Sequence, residues 1–126
     1  MLKPYVQDGT ADSPKVILDR NQPVLVIQGR SMPEDASHFF RPVHNWFKDY
    51  STDPNPVTRI EFDLEYFNSS TLKELIRLLR FLEEMKESGN KIEITWCFEE
   101  GDDLIEIKGE ELKSIIDIPF QLKVKS

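Results

Sequence analysis

Residues 59–85, RIEFDLEYFNSSTLKELIRLLRFLEEM, contain both halves of a strand–helix unit and decide the fold. Apolar and charged residues alternate in the first half, with the apolar positions at Ile60, Phe62, Leu64 and Tyr66. This alternation predicts a strand that buries one face. In the second half, leucine and isoleucine recur every three or four residues, which predicts a helix from about Ser70 to Ser88. Gly89 and Asn90 are typical of the point where a helix ends.

The flanking segments repeat this alternation of strand and helix. Four further strands are predicted, at residues 16–19, 24–30, 91–98 and 119–124. A first helix is predicted to begin at a capping box formed by Ser31 and Glu34, and its aromatic stripe continues to Tyr50. Pro42 is expected to kink or split that helix because it removes a backbone donor. A third helix is predicted over residues 104–116.

The element order β-β-α-β-α-β-α-β predicts one α/β domain. Repeated strand–helix–strand units imply parallel neighbouring strands joined by right-handed crossovers. We therefore expect a mixed five-stranded sheet that is mostly parallel, with about three helices and with the first strand antiparallel at or near an edge. Residues 1–15 are largely polar and turn-rich, so they are predicted to form a flexible N-terminal arm before a domain over residues 16–126.

The composition limits the classes of partner. The 126 residues include sixteen basic and twenty-three acidic side chains, and the net charge is −7. An acidic surface repels phosphate backbones and anionic lipid, so neither nucleic acid nor a membrane is expected as a partner. No apolar run has the roughly 20 residues of a membrane span, and the first residues do not resemble a signal peptide. With a single cysteine, Cys97, the protein is expected to be cytoplasmic.

Three hydroxyl residues, Ser69, Ser70 and Thr71, follow Asn68 where the predicted strand meets the predicted helix. Helix capping explains one or two of these four residues, and Thr71 with Glu74 has the spacing of a capping box. The carboxyl end of a parallel strand is also where sites form in α/β sheets. A phosphoryl group there would meet the free N–H groups and the positive dipole end of the helix. Both interpretations remain open from the residues alone.

The second helix has a wider apolar face than contact with a sheet requires. Leu78, Phe81 and Met85 extend that face beyond the stripe that would pack on the strands. Either this helix packs against the sheet on one side and another helix on the other, or it presents an exposed apolar strip to a partner protein. Met32, which has no evident structural role, is a further candidate for the partner surface.

No arrangement of residues predicts an enzyme or a metal site. The turn EEGDD at residues 99–103 has four carboxylates but lacks the spaced ligands of a calcium loop, so a solvated turn with a helix cap at Asp103 is expected. The sequence has no evident nucleophile–base pair, metal-ligand spacing or glycine-rich phosphate loop. We therefore predict a protein without catalytic residues, cofactor or metal.

Four segments together resemble the SiaC-type regulatory phosphoproteins, which are relatives in fold of the STAS-like anti-sigma factor antagonists. The segments are GRSMPEDASHFFRPVHNWF (29–47), FDLEYFNSSTLKELIRLLRFLEEM (62–85), KIEITWCFEEGDD (91–103) and IPFQL (118–122). The resemblance implies a STAS-like regulatory domain without enzymatic activity. It also implies phosphorylation of the hydroxyl residue that follows the strand-end asparagine, which is Ser69 here, with Ser70 and Thr71 as alternatives.

The resemblance further implies the partners. In that family a histidine-kinase-like Ser/Thr protein kinase adds the phosphoryl group, and a PP2C-type phosphatase removes it. The unphosphorylated form binds and activates an enzyme, a diguanylate cyclase in the studied system, which implies a role in cyclic-di-GMP signalling. The expected docking surface combines Asn68, Ser69, Ser70, Thr71, Leu78, Phe81, Met85 and Met32. The alternative is a STAS-like module that senses a small molecule at the same strand ends, in a deep apolar pocket and without phosphorylation.

Overall fold

The computed structural model describes residues 2–125. Six strands and three helices lie along this part of the chain. The strands are β1 (Tyr5–Gln7), β2 (Lys15–Leu18), β3 (Leu25–Ser31), β4 (Val57–Phe67), β5 (Lys91–Glu99) and β6 (Phe120–Lys125). The helices are α1 (Ala36–Tyr50) between β3 and β4, α2 (Ser69–Glu87) between β4 and β5, and α3 (Asp103–Ile115) between β5 and β6.

The strands form one sheet in which the spatial order equals the chain order, β1-β2-β3-β4-β5-β6. β2 is antiparallel to both of its neighbours, whereas β3, β4, β5 and β6 are parallel to one another. The predicted class is therefore confirmed: a mixed, mostly parallel sheet with three helices in one α/β domain. The sheet has six strands rather than the predicted five.

β1 is the strand that the sequence prediction missed, because it lies in the segment assigned to a flexible arm. Tyr5 pairs with Leu18 of β2 in an antiparallel ladder. The carbonyl of Lys3 accepts a hydrogen bond of 3.0 Å from Trp46 Nε1, which ties the segment to α1 as well. Three residues are too few to show an alternating pattern, so periodicity could not predict this strand.

All three helices pack on one face of the sheet. Each crossover joins strands that are immediate neighbours, and right-handed crossovers made in one direction along a sheet place every helix on the same side. Burial agrees with this arrangement, since Ile60 and Phe62 of β4 are buried while Glu61 and Asp63 on the opposite face are partly exposed. Within the core, the Trp96 ring packs against the rings of Phe62, Phe67 and Phe120.

The start of α1 differs from its prediction. The N-cap is Asp35, whose side chain accepts a hydrogen bond of 3.0 Å from the His38 amide. The predicted capping box of Ser31 and Glu34 is wrong because β3 continues through Ser31, which is buried and paired with Phe67. Pro42 does not split α1, which is continuous from Ala36 to Tyr50. Pro42 has no N–H to donate to the carbonyl of His38, one turn earlier. Both residues are exposed, so water can hydrate that carbonyl instead.

β4 contains an irregularity close to its carboxyl end. Gly29 of β3 pairs with Leu64, but the next residue, Arg30, pairs with Tyr66, so Glu65 is an extra residue in β4. Such a bulge reverses which face the following side chains occupy. Phe67 therefore faces the core, and Tyr66 is 40% exposed with the Arg30 guanidinium 5.5 Å from its ring centroid. The predicted inward orientation of Tyr66 is wrong for this reason.

Candidate functional site

The link between β4 and α2 is capped by Asn68. Its side-chain oxygen accepts a hydrogen bond of 2.9 Å from the Thr71 amide, and its own amide donates to the Ser31 carbonyl of β3 at 3.2 Å. Asn68 thus satisfies one free donor of the helix and joins two strand ends. The predicted capping box of Thr71 and Glu74 is wrong, because the cap lies three residues before Thr71.

Thr71 is buried and has a structural role. Its hydroxyl donates to the Ser31 carbonyl at 3.0 Å and lies 2.9 Å from the Ser31 hydroxyl. The two residues have no measurable solvent exposure, so these bonds satisfy side chains that water cannot reach. Thr71 is therefore neither an accessible phosphate acceptor nor part of an exposed docking surface, in contrast to the prediction. Its hydroxyl holds the start of α2 against the end of β3.

Ser69 and Ser70 are the exposed members of the hydroxyl cluster, and they are the first two residues of α2. The first amides of a helix have no intrahelical acceptor, and the helix dipole is positive at this end. Lys73 follows one turn later and is exposed. An anionic group attached to either serine would therefore lie beside free N–H donors and one ammonium group.

A cavity of about 510 Å³ lies open to solvent between the starts of α1 and α2. It is lined by Glu34, Asp35, Ala36, Ser37, Ser70, Lys73 and Glu74. Six of these seven side chains are polar or charged, so the cavity lacks the apolar wall that a small-molecule sensor would need. Ser70 shares this cavity with the carboxylates of Glu34 and Asp35.

The predicted apolar strip on α2 is not a free surface. Leu78 and Met85 are buried in the core, with 1% and 4% exposure, and they are therefore unavailable to a partner. The wide apolar face exists because α2 packs on the sheet with one side and on α1 with the other, which is the first of the two alternatives above. Phe81 and Met32 are partly buried and keep some surface in contact with solvent.

A polar contact between α1 and α2 was not predicted from the sequence. His44 Nε2 and Glu74 Oε1 are 2.8 Å apart, and Glu74 is 5% exposed. Arg77 lies 3.7 Å from the same carboxylate. The sequence signal for this contact was Glu74 itself, a charged residue at a buried position of α2. Its spacing from Thr71 is also that of a capping box, and this was the interpretation made from the sequence. The pair fixes the two helices relative to each other beside the exposed serines.

The described residues contain no group of three or more histidine, cysteine or acidic side chains placed to hold a metal ion. In the turn at residues 99–103, the cap of α3 is Asp102, whose side chain accepts from the Ile105 amide at 3.2 Å, rather than the predicted Asp103. Nor does any helix within residues 2–125 combine the length and the apolar character that crossing a membrane would need.

The fold and the site together define a class of protein: a small α/β domain with an exposed hydroxyl pair at a helix N-terminus. The family model described as "SiaC family regulatory phosphoprotein" matches residues 7–125. The chain therefore belongs to the SiaC family of regulatory phosphoproteins, as the sequence resemblance predicted.

Individual relatives are distant in sequence but close in structure. An uncharacterized protein of Pseudomonas aeruginosa strain UCBPP-PA14 is 25% identical over 115 residues, which are 91% of each chain. The structure of SiaC of Pseudomonas aeruginosa has a TM-score of 0.89 at 24% identity, covering 98% of this chain and 99% of that chain. A chain in the crystal structure of diguanylate cyclase SiaD in complex with its activator SiaC, from the same organism, has a TM-score of 0.90 at 24% identity, covering 96% and 99% of the two chains.

Proposed function

We propose that this protein is a cytoplasmic regulator without catalytic activity of its own, controlled by reversible phosphorylation of Ser69. In its unphosphorylated form it binds and activates a diguanylate cyclase. Membership of the SiaC family supports the regulatory role. The structural likeness to the activator in a complex with the cyclase SiaD supports the class of partner.

The observation that carries this proposal is the different environment of the three neighbouring hydroxyls. Thr71 is buried and bonded to Ser31, whereas Ser69 and Ser70 are exposed at the N-terminus of α2. A kinase needs an accessible hydroxyl, and the free amides and dipole of the helix stabilise the resulting anion. The site can therefore accept a phosphoryl group without loss of a buried contact.

Ser69 is favoured over Ser70 by local charge. Ser70 lines the cavity that also contains Glu34 and Asp35, and these carboxylates would repel a phosphate there. Lys73 lies three residues after Ser70 and four after Ser69, and both spacings let side chains meet on a helix surface. The ammonium group is therefore available to either serine, and the carboxylates beside Ser70 are what favour Ser69 as the acceptor.

The proposed enzymes of the cycle are a histidine-kinase-like Ser/Thr protein kinase and a PP2C-type phosphatase. Both would act on a serine that is exposed in the first turn of a helix. The kinase, the phosphatase and the cyclase all use nucleotides or phosphoproteins of the cytoplasm. The cytoplasm is therefore the proposed location of this protein. The resemblance of the segments at residues 29–47 and 62–85 to the family supports these partners.

Phosphorylation would act through charge and bulk at the docking surface. A phosphoserine adds about −1.5 to −2 charges. The surface around α2 already has Glu65 exposed beside the strand end, so the modification makes this end of the molecule strongly anionic. We therefore propose that the phosphate opposes docking of the cyclase and leaves the protein as a substrate for the phosphatase.

The test is a cyclase assay with variants at the acceptor. Ser69→Ala is expected to activate the cyclase but to resist the kinase, and Ser69→Glu is expected to activate it at least about tenfold less well. Ser70→Ala, the matched control, should activate the cyclase and still be inactivated by the kinase. Normal inactivation of Ser69→Ala by the kinase would contradict the assignment of the acceptor.

A further inference from the structure

We propose that two copies of this protein associate through β6, which pairs antiparallel with the β6 of the other copy about a two-fold axis at Leu122. Within the described part of the chain, β6 pairs with β5 alone, so its other edge is free. A free edge presents unpaired N–H and C=O groups that can bind a further strand. At the opposite edge of the sheet, β1 has three residues, whereas β6 has six. β6 is therefore the longer of the two edges on which a strand can pair.

The backbone groups at the free edge belong to alternate residues of β6. The Ile94 amide of β5 donates a hydrogen bond of 2.9 Å to the Pro119 carbonyl. The N–H and C=O groups of successive residues point to opposite edges of a strand, so those of Phe120, Leu122 and Val124 point away from β5. None of these three residues is proline, and β6 pairs with β5 without a bulge. They can therefore exchange main-chain hydrogen bonds with a second strand.

The side chains of β6 favour the register centred on Leu122. In this register Leu122 lies opposite itself, and Phe120 lies opposite Val124. The pairs on the helix side are thus apolar, and Val124, which is 50% exposed in a single copy, gains a cross-strand neighbour. On the other face, Lys123 lies opposite Gln121. A register centred on Lys123 would instead place two ammonium groups directly opposite each other, which is unfavourable.

The helix above this edge has free charges of both signs on the side toward β6. The residues of α3 that face the core are Ile105, Gly109 and Leu112. Ile115 lies about a quarter turn to one side of them, and its carbonyl accepts a hydrogen bond of 2.7 Å from Arg80 of α2. Glu106 and Lys113 lie about a quarter turn to the other side, away from α2. Neither forms a salt bridge within residues 2–125.

The two-fold axis brings these opposite charges together. Gly109 packs on Trp96, and Trp96 pairs with Leu122, so the middle of α3 lies level with the axis. The α3 helices of the two copies are then antiparallel. Lys113, four residues after Gly109, approaches Glu106 of the other copy, which lies three residues before Gly109. Each copy thus contributes one cation and one anion, and this local complementarity opposes the long-range repulsion between two chains of net charge −7.

The proposed interface is separate from the proposed phosphorylation site. α2 begins after β4, and β5 lies between β4 and β6 in the sheet. A two-fold axis perpendicular to the sheet keeps the helices of both copies on the same side. A dimer would therefore present two equivalent copies of Ser69 on one side, and its formation does not depend on their phosphorylation.

The first test is disulfide formation in the purified full-length protein that carries Cys97→Ala. Leu122→Cys places a thiol opposite its own copy, where the Cα atoms of a hydrogen-bonded pair are about 5.5 Å apart and within reach of a disulfide. Lys123→Cys is the matched control, because its two copies are diagonal neighbours at about 7–8 Å. Under mild oxidation, we expect the covalent dimer to form at least about tenfold faster with Leu122→Cys. Equal rates, or no covalent dimer, would overturn the inference.

The second test is sedimentation equilibrium of charge variants over a wide range of concentration. The unmodified protein is expected to dimerise, and Lys113→Glu, which faces Glu106 of the other copy, should raise the dissociation constant at least about tenfold. The double variant Glu106→Lys/Lys113→Glu restores opposite charges across the axis and should dimerise like the unmodified protein. Lys48→Glu, at an exposed position of α1, changes the net charge as much as Lys113→Glu and should have no effect.

A backbone variant completes this test. Val124→Pro removes an N–H group at the free edge and leaves the pairing with β5 intact, so it should abolish the dimer while the circular dichroism spectrum is preserved. A protein that stays monomeric at every concentration would overturn the inference, and so would a double charge variant as weak as Lys113→Glu. These experiments contain no kinase or cyclase. Failure of the dimer and failure of the phosphorylation switch are therefore distinguishable.

Discussion

At the scale of single residues, two neighbours in the first turn of α2 have opposite roles. Thr71 is buried against Ser31, and Ser70 is exposed. Neither their residue types nor their spacing distinguishes them in the sequence. The difference arises because β3 ends beside the start of α2, a contact between segments forty residues apart. This is why the residues alone left three hydroxyls as candidate acceptors, and the preference for Ser69 came from the family resemblance.

We predict that Thr71→Val lowers the free energy of unfolding by about 1–3 kcal/mol. The substitution preserves the volume of the side chain but leaves the buried Ser31 hydroxyl and carbonyl without this partner. Ser70→Ala, the matched control, should change the free energy of unfolding by less than about 0.5 kcal/mol. Urea unfolding of the three proteins measures both values, and equal stability of Thr71→Val and the unmodified chain would refute the buried role.

Cys97 lies on the face of β5 that has no helix. Its pKa is raised from 9.0 to about 11, mainly by burial and further by the negative charges of Glu61 and Asp63. The folded protein holds this proton more tightly than the unfolded chain. Its contribution to stability is therefore complete below pH 9 and is lost as the pH rises toward 11. Relative to Cys97→Ala, the unmodified protein should lose stability over that interval in urea unfolding. Rapid reaction of the folded protein with a thiol reagent at pH 8 would count against a protonated, protected thiol.

At the scale of elements, Gly109 determines how α3 lies on the sheet. The Trp96 indole donates a hydrogen bond of 2.9 Å to the Ile105 carbonyl, and its ring packs directly on Gly109. A Cβ atom at Gly109 would lie 2.6 Å from Trp96 Nε1, closer than packed atoms allow. Glycine has a low helix propensity, but at position 109 the tryptophan beneath the helix leaves no room for a side chain.

We predict that Gly109→Ala destabilises the protein by up to about 2 kcal/mol. Overpacking costs roughly 1–3 kcal/mol, whereas alanine gains about 1 kcal/mol in helix propensity. Ser114→Ala, at an exposed position of the same helix, serves as the control and should be neutral within about 0.5 kcal/mol. A higher melting temperature for Gly109→Ala would mean that Trp96 does not pack against α3 as described.

Most elements could be predicted from periodicity, but their junctions could not. Alternation in residues 59–64 and the leucine spacing of α2 depend only on which faces are buried, so the pattern was sufficient. The orientation of Tyr66 could not be predicted, because the extra residue Glu65 is visible only in the pairing with β3. The same limit applies to Ser31, whose capping pattern was overridden by its pairing as the last residue of a strand.

At the scale of the whole molecule, the topology separates two surfaces of different character. Consecutive right-handed crossovers place all the helices on one face, and a cavity lined by Arg41, Lys48 and Arg77 lies between α1 and α2 on the outside of that layer. The net charge of −7 gave no indication of this local basic character, and Arg41 and Arg77 are too distant in sequence to form a visible cluster. The packing of the two helices is what brings these residues together.

One exposed serine at the start of α2 is the proposed phosphorylation switch of this protein. The most direct measurement is the intact mass of the full-length protein purified from its own host under several growth conditions, followed by fragmentation of the peptide that contains residues 59–73. We predict a single phosphoryl group on Ser69 in part of the protein. A protein that carries no phosphoryl group under any condition, or carries one on the buried Thr71, would contradict the claim.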